Sequence, residues 1–231
     1  MALPFDTKPA PGTLYRIGRK DTVWQWIDPK TSGGGSRWDC PDGSYAVLYA
    51  STSPLAAYLE KLSALRPDLD TVERVTTVKP ASPDPKDPPL RVGELDSKWR
   101  GRYMLATGTP TGLPGPFVAV AGARSLSTLL IELAHVAHAL KIRAIDAGVL
   151  RLDYSDEFVA FTKAISNFIF HQTDDSGAFY AGIFYLGQYG DDIENYALFE
   201  RCTVIPTGHS EIAEDDPYFL QACELLSLKP A

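Results

Sequence analysis

The chain has 231 residues, 45% of them hydrophobic and 22% charged, with a formal net charge of −7, which fits a soluble globular protein able to bury a sizeable core. The acidic balance argues against a general nucleic-acid binder and against attraction to an anionic membrane. Its three cysteines, Cys40, Cys202 and Cys223, are widely spaced and odd in number, so neither a disulfide framework nor a CxxC metal knuckle is expected. No apolar run reaches bilayer length, and the first residues lack a basic segment followed by an apolar one, so a cytoplasmic, reduced protein is expected.

Residues before Thr13 are rich in proline and polar groups and read as a tail. Leu14 to Ile17 reads as a short strand, with Tyr15 and Arg16 on opposite faces. Lys30 to Asp39 contains three consecutive glycines and reads as a loop, followed by Arg37-Trp38 and a Pro41-Asp42-Gly43 turn signal. Ala46 to Tyr49 has the composition of a buried strand. Ser53 and Pro54 then supply a helix cap and a first helical position, and Leu55, Leu59, Leu62 and Leu65 repeat at helical spacing, so that face is expected to be buried. Glu60 lies one step round from Leu59. On pattern alone it fits a solvated helix glutamate as well as a functional carboxylate.

Val72 to Val78 reads as a strand by its β-branched content, and residues 80–89 as a proline-rich loop. Phe117 to Ala121 reads as a strand and Leu126 to Leu140 as one helix. Arg143 to Leu150 is an ambiguous strand. Asp156 to Phe170 is an amphipathic helix with Phe158, Phe161, Ile165, Phe168 and Ile169 inward. Ala181 to Leu186 and Tyr196 to Ile205 read as strands joined by a polar connection, and Pro217 to Leu228 as a final helix. Short strands and helices without a βαβ rhythm predict an α+β fold, with helices packed on a mainly antiparallel sheet.

The sequence carries no P-loop, no GxGxxG after a strand and no HExxH. His135 and His138 share a predicted helix but lack the glutamate of a metalloprotease motif, so a structural pair is favoured over a metal site. Asp191, Asp192 and Glu194 fit a solvated turn better than a cation site. No metal is expected.

The ordered set LYRIG, GGSRWD, VLYAS, AAYLEKL and the segment Gly182 to Phe199 resembles the RES domain, a bacterial family of toxin halves in toxin–antitoxin pairs. The resemblance runs from about Leu14 to Phe199. It implies an ADP-ribosyltransferase-like fold over residues 13–206, with 207–231 a helical extension packed on the same domain. It also implies an enzyme with NAD⁺ as substrate, no cofactor, and a cognate antitoxin as partner. By position, Arg16 and Arg37 match the family's NAD-phosphate-binding arginines, with Arg16 also in a catalytic role. Tyr49 matches its active-site tyrosine and Glu60 its catalytic glutamate; Trp38 is a further NAD-binding candidate. These residues are expected to line one cleft. Gly187 stands where the family's serine is expected, with Gln188 as the neighbour that could take over its role.

The residue types suit the implied chemistry. Breaking the nicotinamide–ribose bond builds positive charge on the ribose, which a carboxylate stabilises. The planar fork of arginine suits a pyrophosphate, and aromatic rings suit a flat base. The implied activity is NAD⁺ hydrolysis or phosphorolysis. The alternatives are ADP-ribosyl transfer to a protein, or a catalytically silent module, which the glycine at 187 favours.

Overall fold

The computed structural model describes residues 4–31, 35–67, 70–73, 93–95, 97–152, 154–174 and 177–230. Its centre is an eight-stranded sheet in the order β1-β6-β9-β10-β3-β2-β5-β11. These strands are β1 (Thr7–Lys8), β2 (Leu14–Arg19), β3 (Val47–Ser51), β5 (Tyr103–Thr111), β6 (Phe117–Ala119), β9 (Gly182–Leu186), β10 (Glu194–Phe199) and β11 (Thr203–Glu211). Every pairing in it is antiparallel except β6 with β9. Two-residue strands β4 (Glu94–Leu95) and β12 (Lys229–Pro230) pair separately, as do β7 (Thr173–Asp174) and β8 (Gly177–Ala178). The helices include α1 (Pro54–Leu62), α2 (Ser97–Arg102), α3 (Ala123–Glu132), α4 (Ala134–Ala139), α5 (Ala147–Leu152), α6 (Asp156–Phe170) and α7 (Pro217–Leu225). The fold is therefore α+β, with a large, mostly antiparallel sheet and packed helices.

The period-two alternation of the strands sorts side chains onto two faces. Ile183, Tyr185, Ala197 and Phe199 pack with Phe158, Phe161, Ile165 and Ile169 of α6. Their neighbours Phe184, Tyr196 and Leu198 point the other way, beside Leu14, Leu48 and Trp24. A separate cluster joins α1 to α7 through Tyr58, Leu59, Leu62, Phe219 and Cys223, with Ile17 and Trp99. Tyr58 also donates to Asp216 at 2.9 Å, where Asp216 caps α7 by accepting from Tyr218 and Phe219.

Several expectations are corrected. The segment expected as a tail is not simply one, because within its described residues, 4–12, Phe5 is buried in the core and β1 pairs with β6. The helix expected from Leu126 to Leu140 is two helices, broken at Leu133, whose φ of −109° and ψ of 14° leave the helical region. Arg143 to Leu150 is not a strand: Asp146 accepts from the Val149 N–H at 2.8 Å and starts α5, while Asp-Ala-Gly separates the two β-formers Ile145 and Val149. Tyr196 to Ile205 is two strands, divided by a turn in which Cys202 donates to the Phe199 carbonyl at 2.9 Å. β11 continues to Glu211, so residues 207–211 belong to the sheet and not to a helical extension. Leu65 is 44% exposed because the chain tightens into a 3₁₀ turn at Ser63 and leaves the buried stripe. Val72 and Glu73 are helical; the rest of the strand expected at Val72 to Val78 lies outside the described residues. Among the described residues, no helix is long and apolar enough to cross a membrane.

Candidate active site

The turn from β3 into α1 fixes the centre of the site. Ser53 accepts from the Ala56 N–H at 3.2 Å and caps α1, with Pro54 in the first turn. Tyr49 and Ser51 leave β3 on the α6 side of the sheet, and Glu60 projects from α1 toward them. The result is a cleft of about 700 Å³ whose walls include Arg37, Trp38, Tyr49, Glu60, Tyr154, Tyr185, Gly187 and Gln188.

Both carboxylate oxygens of Glu60 are held. The Tyr185 hydroxyl donates to Oε1 at 2.9 Å, and the Asn195 amide donates to Oε2 at 3.2 Å. Glu60 keeps exposed surface on the cleft side, while protein surrounds its flanks. Burial raises its pKa above the ordinary glutamate value, opposed by the Tyr185 hydrogen bond and the nearby Arg37 charge.

The Ser36–Asp39 loop forms the facing wall. The Tyr49 hydroxyl accepts from the Trp38 N–H at 3.0 Å and donates to Asp39 Oδ1 at 2.9 Å. Asp39 Oδ2 accepts from the Ser36 N–H at 2.8 Å, and Ser166 of α6 donates to the Trp38 carbonyl at 2.7 Å. Burial, then the Asp39 carboxylate, push the Tyr49 pKa well up, so its phenol stays protonated and keeps this tie. Arg37 is 8% exposed. Its Nη1 donates to the Arg151 carbonyl at 3.0 Å, whereas Nε and Nη2 have no partner among the described residues. The guanidinium lies 4.6 Å from the ring of Tyr154 and 5.6 Å from that of Trp38. A buried cation with two unpaired donors has unmet capacity for an anion, although both nitrogens are themselves closed to solvent in this structure.

Arg16 is not among the residues that line the cleft. β2 and β3 are in register only at Tyr15 and Ser51. Beside that single pairing the Arg16 guanidinium donates from Nε to the Val23 carbonyl at 2.8 Å and from Nη1 to the Tyr49 carbonyl. Burial lowers its pKa to about 10, partly offset by Tyr49 and Tyr185 and still far above neutrality. Arg16 therefore braces the strand that carries Tyr49 from behind the cleft wall. Trp38 lies in the wall with its ring 5.7 Å from that of Tyr185, but it is only 1% exposed and offers little free face.

Gly187 and Gln188 lie at the exit of β9. The Gly187 N–H donates to the Ile193 carbonyl at 2.7 Å, and the Gly187 carbonyl accepts from Arg151 Nε at 2.7 Å. A Cβ at Gly187 would stand 2.5 Å from Ile193 Cγ2 and 3.1 Å from Asn195 Nδ2. Gln188 donates to the Tyr189 hydroxyl at 2.9 Å. Among the described residues, no three His, Cys, Asp or Glu side chains are grouped to hold a metal ion.

A family model, the RES domain, matches residues 13–215. The chain belongs to the RES domain family. No curated protein matches it. Among solved structures, it is similar to a chain of the M. tuberculosis MbcT–MbcA toxin–antitoxin complex, with 12% identity, a TM-score of 0.50, and coverage of 96% of this chain and 92% of that one. At that identity the likeness shows a shared fold.

Four residues of this RES domain site were given no role from the sequence, although Tyr185 and Asn195 belong to the segment that carries the resemblance. Tyr185 and Asn195 hold Glu60, Ser51 holds Asn195 at 2.6 Å, and Tyr154, a residue 51% exposed, sets its ring beside Arg37. Asn195 carries little signal in the sequence, because it follows Glu194 in a polar stretch and precedes the apolar run Tyr196 to Phe199; only the structure shows it fully buried. Tyr154 carries none, because it belongs to an irregular segment between α5 and α6.

Proposed function

We propose that this RES domain consumes NAD⁺, as a glycohydrolase or phosphorylase, and acts as the toxin of a toxin–antitoxin pair on an ADP-ribosyltransferase-like fold. The observation that carries this reading is the pairing in one cleft of a gripped carboxylate, Glu60, with a buried guanidinium, Arg37, whose Nε and Nη2 lack partners among the described residues. A dinucleotide offers the matching groups, a pyrophosphate for Arg37 and a ribose for Glu60. The cleft volume suits a ligand of that size. Tyr154, exposed and already stacked near Arg37, serves a flat base better than the buried Trp38.

In the proposed reaction the bond between the ribose anomeric carbon and the nicotinamide nitrogen breaks. Nicotinamide leaves with the bonding electron pair, and the ribose becomes oxocarbenium-like. Ionised Glu60 stabilises that charge and accepts from the ribose hydroxyls. Water or phosphate then forms the new C–O bond, and an attacking water releases its proton. Arg16 contributes by bracing the Tyr49 strand. Because Glu60 acts ionised, its raised pKa places the acid limb of turnover above the ordinary glutamate range.

The toxin reading is supported by family membership and by the fold shared with a chain from a toxin–antitoxin complex. The implied partner is an antitoxin. The glycine at 187 favours a second reading, a silent module that binds a nucleotide without turnover. Incubation of the purified protein with NAD⁺, with and without phosphate, separates these readings. Nicotinamide with ADP-ribose identifies hydrolysis; ADP-ribose-1″-phosphate identifies phosphorolysis; modification of an added protein identifies transfer. Binding of NAD⁺ with no product overturns the enzymatic reading.

A further inference from the structure

Glu60 projects from α1 on a flexible stem, and nothing within its own helix holds its carboxylate. The grip comes from a row of three residues on three adjacent strands. Asn195 of β10 stands directly opposite Ser51 of β3 on one side and Tyr185 of β9 on the other. Residues opposite one another in antiparallel strands project from the same face. Ser51, Asn195 and Tyr185 are 1%, 0% and 7% exposed, so this row is closed to bulk water although the cleft above it is open.

The hydrogen bonds in the row have a fixed direction. An ionised carboxylate only accepts, so Glu60 requires a donor from Asn195, and the amide must present Nδ2 to it. The amide oxygen then faces Ser51, whose hydroxyl donates to it at 2.6 Å. The reverse amide orientation would set Oδ1 against the carboxylate. Ser51 therefore fixes the orientation of Asn195, and Asn195 supplies the second donor to Glu60.

We propose that Asn195, oriented by Ser51, is the positioning residue that fixes the Glu60 carboxylate for the reaction. The inference rests on the reading of Glu60 as the catalytic carboxylate. It also gives Gly187 a reason: a Cβ there would stand 3.1 Å from Asn195 Nδ2, so the glycine leaves room for the amide. The groups that face Glu60 are Tyr185 from β9, Tyr49 from β3, Tyr189 from the β9–β10 loop and Arg37 from the Ser36–Asp39 loop. Asn195 is neutral, so its replacement by alanine leaves that set of charges intact while it removes the donor to Glu60 and the acceptor of the Ser51 hydroxyl. A donor to the ionised form favours ionisation, so its loss must raise the pH at which Glu60 titrates.

The test follows the Glu60 carboxyl carbon by NMR in protein labelled at glutamate side chains. Its signal is assigned by its absence in Glu60→Gln. Asn195→Ala is expected to move the titration of Glu60 upward by about one pH unit, the scale of one hydrogen bond to a charged group. The acid limb of kcat for NAD⁺ should move with it. At neutral pH kcat should fall by about tenfold, with KM changed by less than about threefold. Ser51→Ala should move the titration in the same direction by a smaller amount, and Ser51→Thr, which keeps the hydroxyl, should restore it. A merely structural role would lower the melting temperature and leave the titration in place; that result overturns the proposal. If Asn195→Ala does not fold, the titration in Ser51→Ala decides the matter alone. If the wild type forms no product from NAD⁺, the functional reading fails, whereas the titration still judges the positioning of Glu60.

Discussion

Replacing Gly187 by alanine tests how tightly the floor of the cleft is packed. The new Cβ would stand 2.5 Å from Ile193 Cγ2, 3.1 Å from Ile193 Cβ and 3.1 Å from Asn195 Nδ2. Ile193 is 4% exposed and β-branched, so its side chain is stiff at χ1 and yields to the new methyl only by turning toward the cleft that it borders. The backbone cannot retreat easily either, because the Gly187 N–H and carbonyl are both engaged at 2.7 Å. Overpacking a filled site of this kind costs about 1–3 kcal/mol. At about 2–4 °C per kcal/mol for a chain of this size, the melting temperature should fall by roughly 2–12 °C. Ile193→Ala alone should cost about 2–5 kcal/mol by opening a cavity. In the double variant the methyl at 187 enters the vacated volume, so the two changes should couple favourably by about 0.5–3 kcal/mol. Urea unfolding of the four proteins measures each quantity. A Gly187→Ala variant within about 0.5 kcal/mol of wild type, or a strictly additive double variant, would refute the packing argument. Gly187→Ser carries the same Cβ and should lose at least as much stability. It should also reduce NAD⁺ turnover, since it crowds the amide that holds Glu60.

Burial raises the Glu60 pKa, so its stabilising contribution is present below the ordinary glutamate range and is lost as pH rises through the raised value. Glu60→Gln should therefore melt higher than wild type near neutral pH, and differential scanning calorimetry should show that advantage shrinking toward about pH 4. The same variant should turn over NAD⁺ at least about 100-fold more slowly, since one electrostatic stabiliser is removed. Arg37→Gln should weaken binding of ADP-ribose by about tenfold or more in isothermal titration, the scale of a lost hydrogen bond to a charged group. Glu60→Gln should bind ADP-ribose with nearly wild-type affinity; equal weakening in both variants would contradict the separate roles given to the two side chains.

Local chemistry made some elements legible and left others hidden. The Ser53-Pro54 cap and the leucine stripe located α1, and β-former content located β2, β3 and β9. α5 was hidden because a six-residue helix shows too little periodicity to compete with Ile145 and Val149. β1 was hidden because two residues make no pattern, and only pairing with β6 holds them. In the site, Arg37, Trp38, Tyr49 and Glu60 were marked by short motifs close to one another in the chain, and the structure brings all four to one cleft. Arg16 was marked by the same means, but its place behind the wall depends on how far β2 and β3 pair, which no local pattern fixes. Tyr185 and Asn195 lie 125 and 135 residues from Glu60, and only strand register brings them to it.

That separation has a consequence in time. Arg37, Tyr49 and Glu60 leave the ribosome close together, and the strands that grip Glu60 follow 125 to 135 residues later. At about 5–20 residues per second this is a delay of roughly 7–27 s. β10 must insert between β3 and β9 before the carboxylate has either of its donors. A nascent chain therefore displays Glu60 long before its carboxylate is held, and on the proposed reading turnover begins only with the closing of the sheet.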